Sequence, residues 1–158
     1  MVSPAPTLEE IYARHARAVW AYARAHAPRP DLAEDLAAEA FLVLARRLRE
    51  AGPPESPLGY LLATVRSRAI DETRRRRPGP LPEGLSSPAP GDAGRRERVF
   101  AAVRALDPDL AEAVALRSLA GLTWEEAVRE SGVPRSTLEG RYAAALEKLT
   151  QILKDERP

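Results

Sequence analysis

The sequence contains no cysteine, which excludes disulfide bonds, thiol catalysis and cysteine-ligated zinc. It also lacks any uninterrupted apolar run near the ~18 residues that a membrane-spanning helix needs. Residues 1–10 hold two prolines and two glutamates, without the basic and apolar regions of a signal peptide. We therefore expect a cytoplasmic protein that does not associate with membranes.

Aromatic residues make up only 5% of the 158 residues, and no segment alternates apolar and polar residues for long enough to form a strand. Alanine is frequent instead, and apolar residues recur at three- and four-residue steps, which indicates amphipathic helices. With 44% hydrophobic and 30% charged residues, the composition is that of a folded protein. We predict an all-α fold.

Three helices are predicted in the first half of the chain. Thr7 can cap the first of them. Asp31, with Glu34 three residues later, has the spacing of a capping box that opens a second helix over 31–48. A third helix is predicted over 58–76. The side chains expected to face the core are Leu8, Ile11, Tyr12, His15, Val19, Tyr22, Leu32, Leu36, Ala40, Val43, Leu44, Leu61, Leu62, Val65, Ala69 and Ile70.

The composition changes at residues 78–94, which hold five of the 15 prolines and four of the nine glycines. Such a stretch buries little apolar surface, so we predict a flexible linker there. The linker would join two small helical domains, a three-helix N-terminal bundle at 1–77 and a four-helix C-terminal domain at 95–158. The four helices of the second domain are predicted at 95–106, 108–120, 123–130 and 136–153.

The most specific local motif lies at 121–149. A short helix capped by Thr123 and Glu126 is followed by a turn at Gly132 and then by a longer helix. This spacing is typical of a helix-turn-helix, which presents the start of its second helix to the major groove of DNA. An ordinary helical hairpin is the alternative. The candidate DNA-binding residues are Arg135, Ser136, Thr137 and Arg141.

A run of arginines closes the third predicted helix. Residues 1–77 carry 13 basic and 10 acidic side chains, a net charge of +3, whereas 78–158 carry 11 and 13, a net charge of −2. A basic helix face is typical of phosphate neutralisation along a nucleic acid. A solvated helix end that complements the helix dipole is the alternative. The candidate residues are Arg66, Arg74, Arg75 and Arg77.

Three carboxylates, Glu34, Asp35 and Glu39, cluster within two turns of the second helix. A metal or acid–base site is one interpretation, but neither His15 nor His26 is near in sequence. Exposed alanines beside the acids would let another helix approach while the acids pair with its cations, so a protein-docking face is favoured. We expect no metal, no cofactor and no catalytic residue.

Taken in their order along the chain, the three motifs resemble bacterial RNA polymerase sigma factors of the compact, two-domain extracytoplasmic-function (ECF) type. The segment with the three carboxylates resembles the polymerase-binding helix of region two, and the arginine-rich segment resembles the helix that reads the promoter's minus-ten element. The motif at 121–149 resembles the helix-turn-helix of region four. The residues that carry the resemblance are Ala33-Glu34-Asp35-Leu36 with Glu39 and Phe41; Tyr60-Leu61-Leu62, Val65-Arg66-Ser67, Asp71 and Arg74-Arg75; and Leu106-Asp107-Pro108, Gly121-Leu122-Thr123, Glu126 and Gly132-Val133.

The resemblance implies a subunit that binds core RNA polymerase and directs promoter recognition, with Tyr60 and Ser67 added to the DNA-binding residues. It implies contact with both melted and duplex promoter DNA, and control by an anti-sigma factor. The chain departs from the family pattern at several positions. Ala38 and Ala45 stand where Gln and Trp are usual, Ser67 stands where Asn is frequent, and Glu139, Ala143 and Ala144 stand where relatives carry basic or polar side chains.

Two other classes of function remain open at this point. A helix-turn-helix regulator that binds DNA without recruiting polymerase would need strong binding to duplex DNA, against which the acidic C-terminal half argues. An enzyme built on the three clustered carboxylates would need ligands or acid–base partners that the sequence does not place beside them.

Overall fold

The computed structural model describes residues 4–75 and 92–155. Within these ranges the chain forms seven α-helices and no β-strand, so the predicted all-α fold is confirmed. The helices group into two compact units, one within residues 1–75 and the other within 76–158. Most of the predicted linker lies outside the described residues, so its boundaries and character stay predictions.

The first unit is a bundle of three 19-residue helices, α1 (Leu8–His26), α2 (Ala33–Ala51) and α3 (Pro57–Arg75). Each helix packs against the other two. Apolar residues at three- and four-residue steps supply the core, as the periodicity predicts. The largest fully buried side chains of this unit are Val19, Tyr22, Leu44, Leu61, Leu62 and Val65.

The start of α1 is the one predicted, whereas the start of α2 is not. The Thr7 hydroxyl accepts a hydrogen bond from the Glu10 backbone N–H at 3.2 Å, and the Glu10 carboxylate accepts one from the Thr7 N–H at 2.9 Å. The predicted cap at Asp31 is wrong. Its carboxylate is held by the Arg29 guanidinium at 2.7 and 3.1 Å, and a 3₁₀ turn over Pro30–Leu32 precedes α2.

Two residues predicted to face the core lie on the surface instead. Tyr12 is 57% exposed, and its ring lies tilted against that of Phe41 with the centroids 4.9 Å apart. Ile70 is 48% exposed on α3. A helix in a three-helix bundle buries one stripe of its surface, and both side chains fall at or beyond the edge of that stripe. Of the alanines expected to be exposed beside the acids of α2, Ala38 is exposed, whereas Ala33 and Ala37 are buried.

The second unit contains α4 (Asp92–Arg104), α5 (Pro108–Val114), α6 (Trp124–Ser131) and α7 (Arg135–Asp155). Helix α4 begins three residues before the predicted start at 95. Its Arg104 donates a hydrogen bond to Glu97 at 3.1 Å, and burial lowers the pKa of the Arg104 guanidinium. Helix α7 packs against α4, α5 and α6, so it is the central element of the unit. The apolar core includes Phe100, Val103, Leu106, Val114, Leu116, Leu122, Leu138 and Leu149.

The helix predicted over 108–120 changes form before it ends. Residues Ala115–Leu119 form a π-helical turn, in which the Ala120 N–H bonds to the Ala115 carbonyl, five residues back, at 2.7 Å. Gly121 follows with φ +73°, in the left-handed region that favours glycine. The Arg117 guanidinium then donates to the Leu122 carbonyl at 2.9 Å. Together these contacts turn the chain into α6.

Candidate nucleic-acid and protein interface

The three predicted docking carboxylates all belong to α2. Glu34 and Asp35 are exposed in its first turn, where negative charge also complements the helix dipole. Glu39 is half-buried, because its Oε1 lies 3.4 Å from Nε of Arg68 on α3. The structure thus places all three acids at the N-terminal half of one helix. Whether they bind polymerase stays a prediction.

Sequence reasoning missed an apolar side chain on the same face of α2. Leu42 is 70% exposed, the highest value for any large hydrophobic residue in the described ranges. It lies four residues after Ala38 and seven after Asp35, so helical geometry puts the three on one face. Arg46 and Arg49, both exposed, continue this face toward the C-terminus. The face is therefore acidic at one end, apolar at its centre and basic at the other end.

The spacing could have revealed Leu42. The buried stripe of α2 includes Leu36, Ala40 and Leu44, and Leu42 falls two residues away from the nearest of these positions. Two residues are about 200° of rotation on a helix, so Leu42 must point away from the core. An apolar residue off the buried stripe is the signal that was available.

The predicted DNA-binding arginines of α3 have different surroundings. Arg66 is half-buried, and its Nη1 donates a hydrogen bond to the hydroxyl of the fully buried Tyr22 at 3.2 Å. Arg75 is exposed and lies 3.8 Å from Glu72 on the same helix, and Arg74 is exposed beside it. Arg77 lies outside the described residues.

Three further side chains share this helix. Ser67 is exposed, and Tyr60 is half-buried with the Arg47 guanidinium 5.8 Å from its ring centroid. The exposed Ile70 lies three residues after Ser67 and four before Arg74, so it belongs to the outer face of α3 rather than to the core. That face combines positive charge, a hydroxyl and an apolar side chain, which suits contact with a phosphate backbone and with bases.

The two helices and the intervening turn predicted within 121–149 are present in the second unit. Thr123 and Glu126 form the predicted capping box, with reciprocal hydrogen bonds of 3.1 Å. Gly132 ends α6 with φ +70°, the left-handed conformation typical of a helix C-cap. Ser131 is half-buried, and its hydroxyl accepts a hydrogen bond from the Val133 N–H at 3.1 Å. This polar side chain therefore helps to close the turn.

An aromatic cluster fixes α6 against α7. The Trp124 and Tyr142 rings meet edge to face with centroids 5.4 Å apart, and the Arg117 guanidinium lies 5.2 Å from the Trp124 ring centroid. The Tyr142 and Ser118 hydroxyls are 2.8 Å apart. These contacts hold the two helices in a fixed geometry, which a DNA-reading helix requires.

The cations of α7 lie beside carboxylates. Arg135 pairs with Glu139 at 2.7 Å, and Arg141 lies 3.8 Å from Asp109 of α5. Lys148 lies 3.6 Å from Asp107. Asp107 is the N-cap residue of α5, but its side chain makes no capping hydrogen bond. Ser136 and Thr137 are exposed at the start of α7, as expected of residues available to DNA.

Within the described ranges, no three histidine, aspartate or glutamate side chains converge closely enough to hold a metal ion. No helix in residues 4–75 or 92–155 is both long and apolar enough to cross a bilayer.

Comparison with known proteins identifies the class to which this arrangement belongs. The family model of sigma-70 region 2 matches residues 11–78, which include all but the first turn of the three-helix unit. The chain is 26% identical over 153 residues to the RNA polymerase sigma factor CarQ of Myxococcus xanthus, covering 92% of this chain and 88% of CarQ.

Two solved structures share the fold. CnrH, in complex with the cytosolic domain of CnrY, matches with a TM-score of 0.71 and 22% identity, covering 95% of this chain and 89% of CnrH. The sigma factor RpoE of Bartonella quintana, in complex with the anti-sigma factor NepR, matches with a TM-score of 0.70 and 19% identity, covering 94% of this chain and 98% of RpoE. The sequence thus matches the region-2 model over residues 11–78 and is similar to a sigma factor over most of its length, which is the resemblance that the motifs predict.

Proposed function

We propose that the first unit docks on core RNA polymerase through the outer face of α2, with Glu34, Asp35 and Glu39 as its charged contacts. The observation that carries the proposal is the 70% exposure of Leu42 on this face. An exposed leucine between charged residues has the composition of an interface centre, where apolar burial supplies affinity and the flanking charges set orientation.

The outer face of α3 is proposed to contact the promoter. Tyr60, Ser67 and the arginines at 66, 74, 75 and 77 would hold the melted strand by phosphate neutralisation and base stacking. The start of α7, with Arg135, Ser136, Thr137 and Arg141, would contact the upstream duplex. The capping box, the left-handed Gly132 and the Trp124–Tyr142 contact support this assignment, because they give α7 the presentation of a recognition helix.

We also propose that an anti-sigma factor controls the protein. RpoE, which shares this fold, was solved with the anti-sigma factor NepR, and CnrH was solved with the cytosolic domain of CnrY. No step of covalent chemistry is assigned to the chain, since RNA polymerase performs the reaction. The proposed site of action is the cytoplasm. A DNA-binding regulator that does not recruit polymerase is disfavoured by the acidic surroundings of the α7 cations.

Charge reversal of Asp35 tests the docking face. Asp35 is exposed, so Asp35→Arg should lower the free energy of unfolding by only about 1 kcal/mol, the part lost with the favourable helix-dipole interaction. It should nevertheless abolish co-elution with core polymerase on size exclusion, because reversing one charge at a docking pair costs several kcal/mol. Glu9→Arg is the matched control, an exposed carboxylate in the first turn of α1, away from the proposed docking face. Unchanged co-elution of Asp35→Arg would remove this face from the docking site.

A further inference from the structure

One ion pair joins the two proposed surfaces of the first unit. Nε of Arg68, on α3, lies 3.4 Å from Oε1 of Glu39, on α2. Both side chains are 44% exposed, so an outside partner can reach each of them. Glu39 belongs to the proposed polymerase-docking face, and Arg68 belongs to the helix proposed to face the promoter. Each charge is thus accessible to its own external ligand while it is held by the other.

We propose that this pair is exchanged when the protein docks on polymerase. A cationic group of the polymerase takes Glu39, and Arg68, released from its carboxylate, binds a promoter phosphate. Arg68 would therefore be a further DNA-binding residue, one available in the complex and neutralised in the free protein. The inference rests on the function proposed above, because it needs polymerase at Glu39 and DNA along α3.

The surroundings of the other α3 cations distinguish Arg68 from them. Arg66 donates to the neutral hydroxyl of Tyr22, and Arg75 lies beside Glu72 on its own helix. Neither of these two contacts involves a residue of the α2 docking face. Arg68 instead bridges to a residue of that face, so a ligand bound there competes with it directly.

The strength of the pair suits an exchange. Half-exposed ion pairs shift an equilibrium constant by at most about fivefold, since solvent screens both charges. A polymerase cation at Glu39 can therefore displace Arg68 at small cost. An isolated phosphate contact is of similar strength, so the released arginine should contribute one ordinary contact to the promoter complex.

Removal of Arg68 has opposite consequences for the two binding steps. In Arg68→Ala, Glu39 has lost its internal competitor, and the polymerase cation has lost a nearby like charge. Binding to core polymerase should therefore tighten by up to about fivefold. In the holoenzyme, the same variant should lower the slope of log K for promoter binding against log salt by about one, because one phosphate contact is gone.

The test is a titration of full-length protein into core polymerase, followed by a salt series of holoenzyme on one promoter. Arg17→Ala, an exposed arginine on α1, is the control for net charge and should change neither measurement. In a Glu39→Gln background, Arg68→Ala should no longer tighten polymerase binding. This double-mutant cycle isolates the pair from long-range electrostatics.

Two results would overturn the exchange. One is an affinity for core polymerase that is unchanged or weaker in Arg68→Ala. The other is a gain in polymerase affinity from Arg68→Ala that persists in the Glu39→Gln background. Asp35→Arg, measured in the same titration, separates this failure from that of the proposed function. If Asp35→Arg loses polymerase binding while Arg68→Ala gives no gain, the docking face stands and the exchange is wrong. If Asp35→Arg binds normally, the docking face itself is wrong.

Discussion

Truncation of Leu42 should weaken polymerase binding without destabilising the protein. Leu42→Ala removes three carbon atoms, each of which contributes ~0.8 kcal/mol when it passes from water into an apolar contact. The side chain is 70% exposed in the free protein, so a partner that covers it buries about that share. Three carbon atoms at ~0.8 kcal/mol each, multiplied by the 70% exposure, give an upper estimate of about 1.7 kcal/mol for the loss of binding free energy. This corresponds to a Kd that is roughly 15- to 20-fold higher.

The same helix offers a control of identical chemistry. Leu44, two residues away, is fully buried in the bundle. Leu44→Ala should therefore cost about 2–5 kcal/mol in the free energy of unfolding, while Leu42→Ala should cost less than ~0.5 kcal/mol. Urea unfolding of both variants measures these values, and fluorescence titration into core polymerase measures the affinity of Leu42→Ala. An unchanged Kd for Leu42→Ala, with stability intact, would show that the partner does not cover this face.

Three further outcomes are expected. Limited trypsin digestion should cut first at the arginines that flank the predicted linker, at 77 or at 95–98, because the linker itself holds no lysine or arginine. Two helical fragments should remain, which circular dichroism of the separated fragments would verify. Thr123→Ala removes one side of a capping box and should destabilise the second unit by ~1 kcal/mol in urea unfolding, whereas Thr123→Ser should restore it. Joint replacement of Arg74 and Arg75 by alanine should reduce the salt slope of promoter binding by about two, more than replacement of Arg135 and Arg141, because the first pair lies in the half of the chain with net charge +3 and the second in the half with net charge −2.

Local signals in the sequence were sufficient for most of the fold. A threonine followed three residues later by glutamate marks the starts of α1 and α6, and the three- to four-residue apolar spacing identifies the buried stripes. Asp31 has the same capping pattern, yet Arg29 takes its carboxylate and the chain forms a 3₁₀ turn. The spacing of the polar residues therefore does not by itself fix the residue at which a helix begins, and α2 begins at Ala33.

Contacts between helices could not be predicted in the same way. Arg68 and Glu39 are 29 positions apart, and Arg66 and Tyr22 are 44 apart, so no sequence spacing relates their side chains. The π-helical turn at Ala115–Leu119 likewise depends on how the chain must turn into α6 above the core residue Leu116. Ile70 was misplaced for a related reason. An apolar residue at the edge of a helical stripe is buried only if a neighbouring helix covers it, which is a property of the bundle.

The surroundings of the cations indicate how the two units divide the work of promoter binding. In the second unit, Arg135, Arg141 and Lys148 each lie within 4 Å of a carboxylate, so a phosphate must compete with a local anion for every one of them. The exposed positions of α7 between these cations include Gly140, where no atom would meet an added Cβ, and small neutral side chains such as Ala143. Such a surface allows close approach to DNA but gains little from counterion release. On α3, Arg68 and Arg75 also lie within 4 Å of a carboxylate, but residues 1–77 carry a net charge of +3 whereas 78–158 carry −2. Affinity should then come mainly from the arginines of α3, with the second unit contributing position along the duplex through shape and hydroxyl contacts.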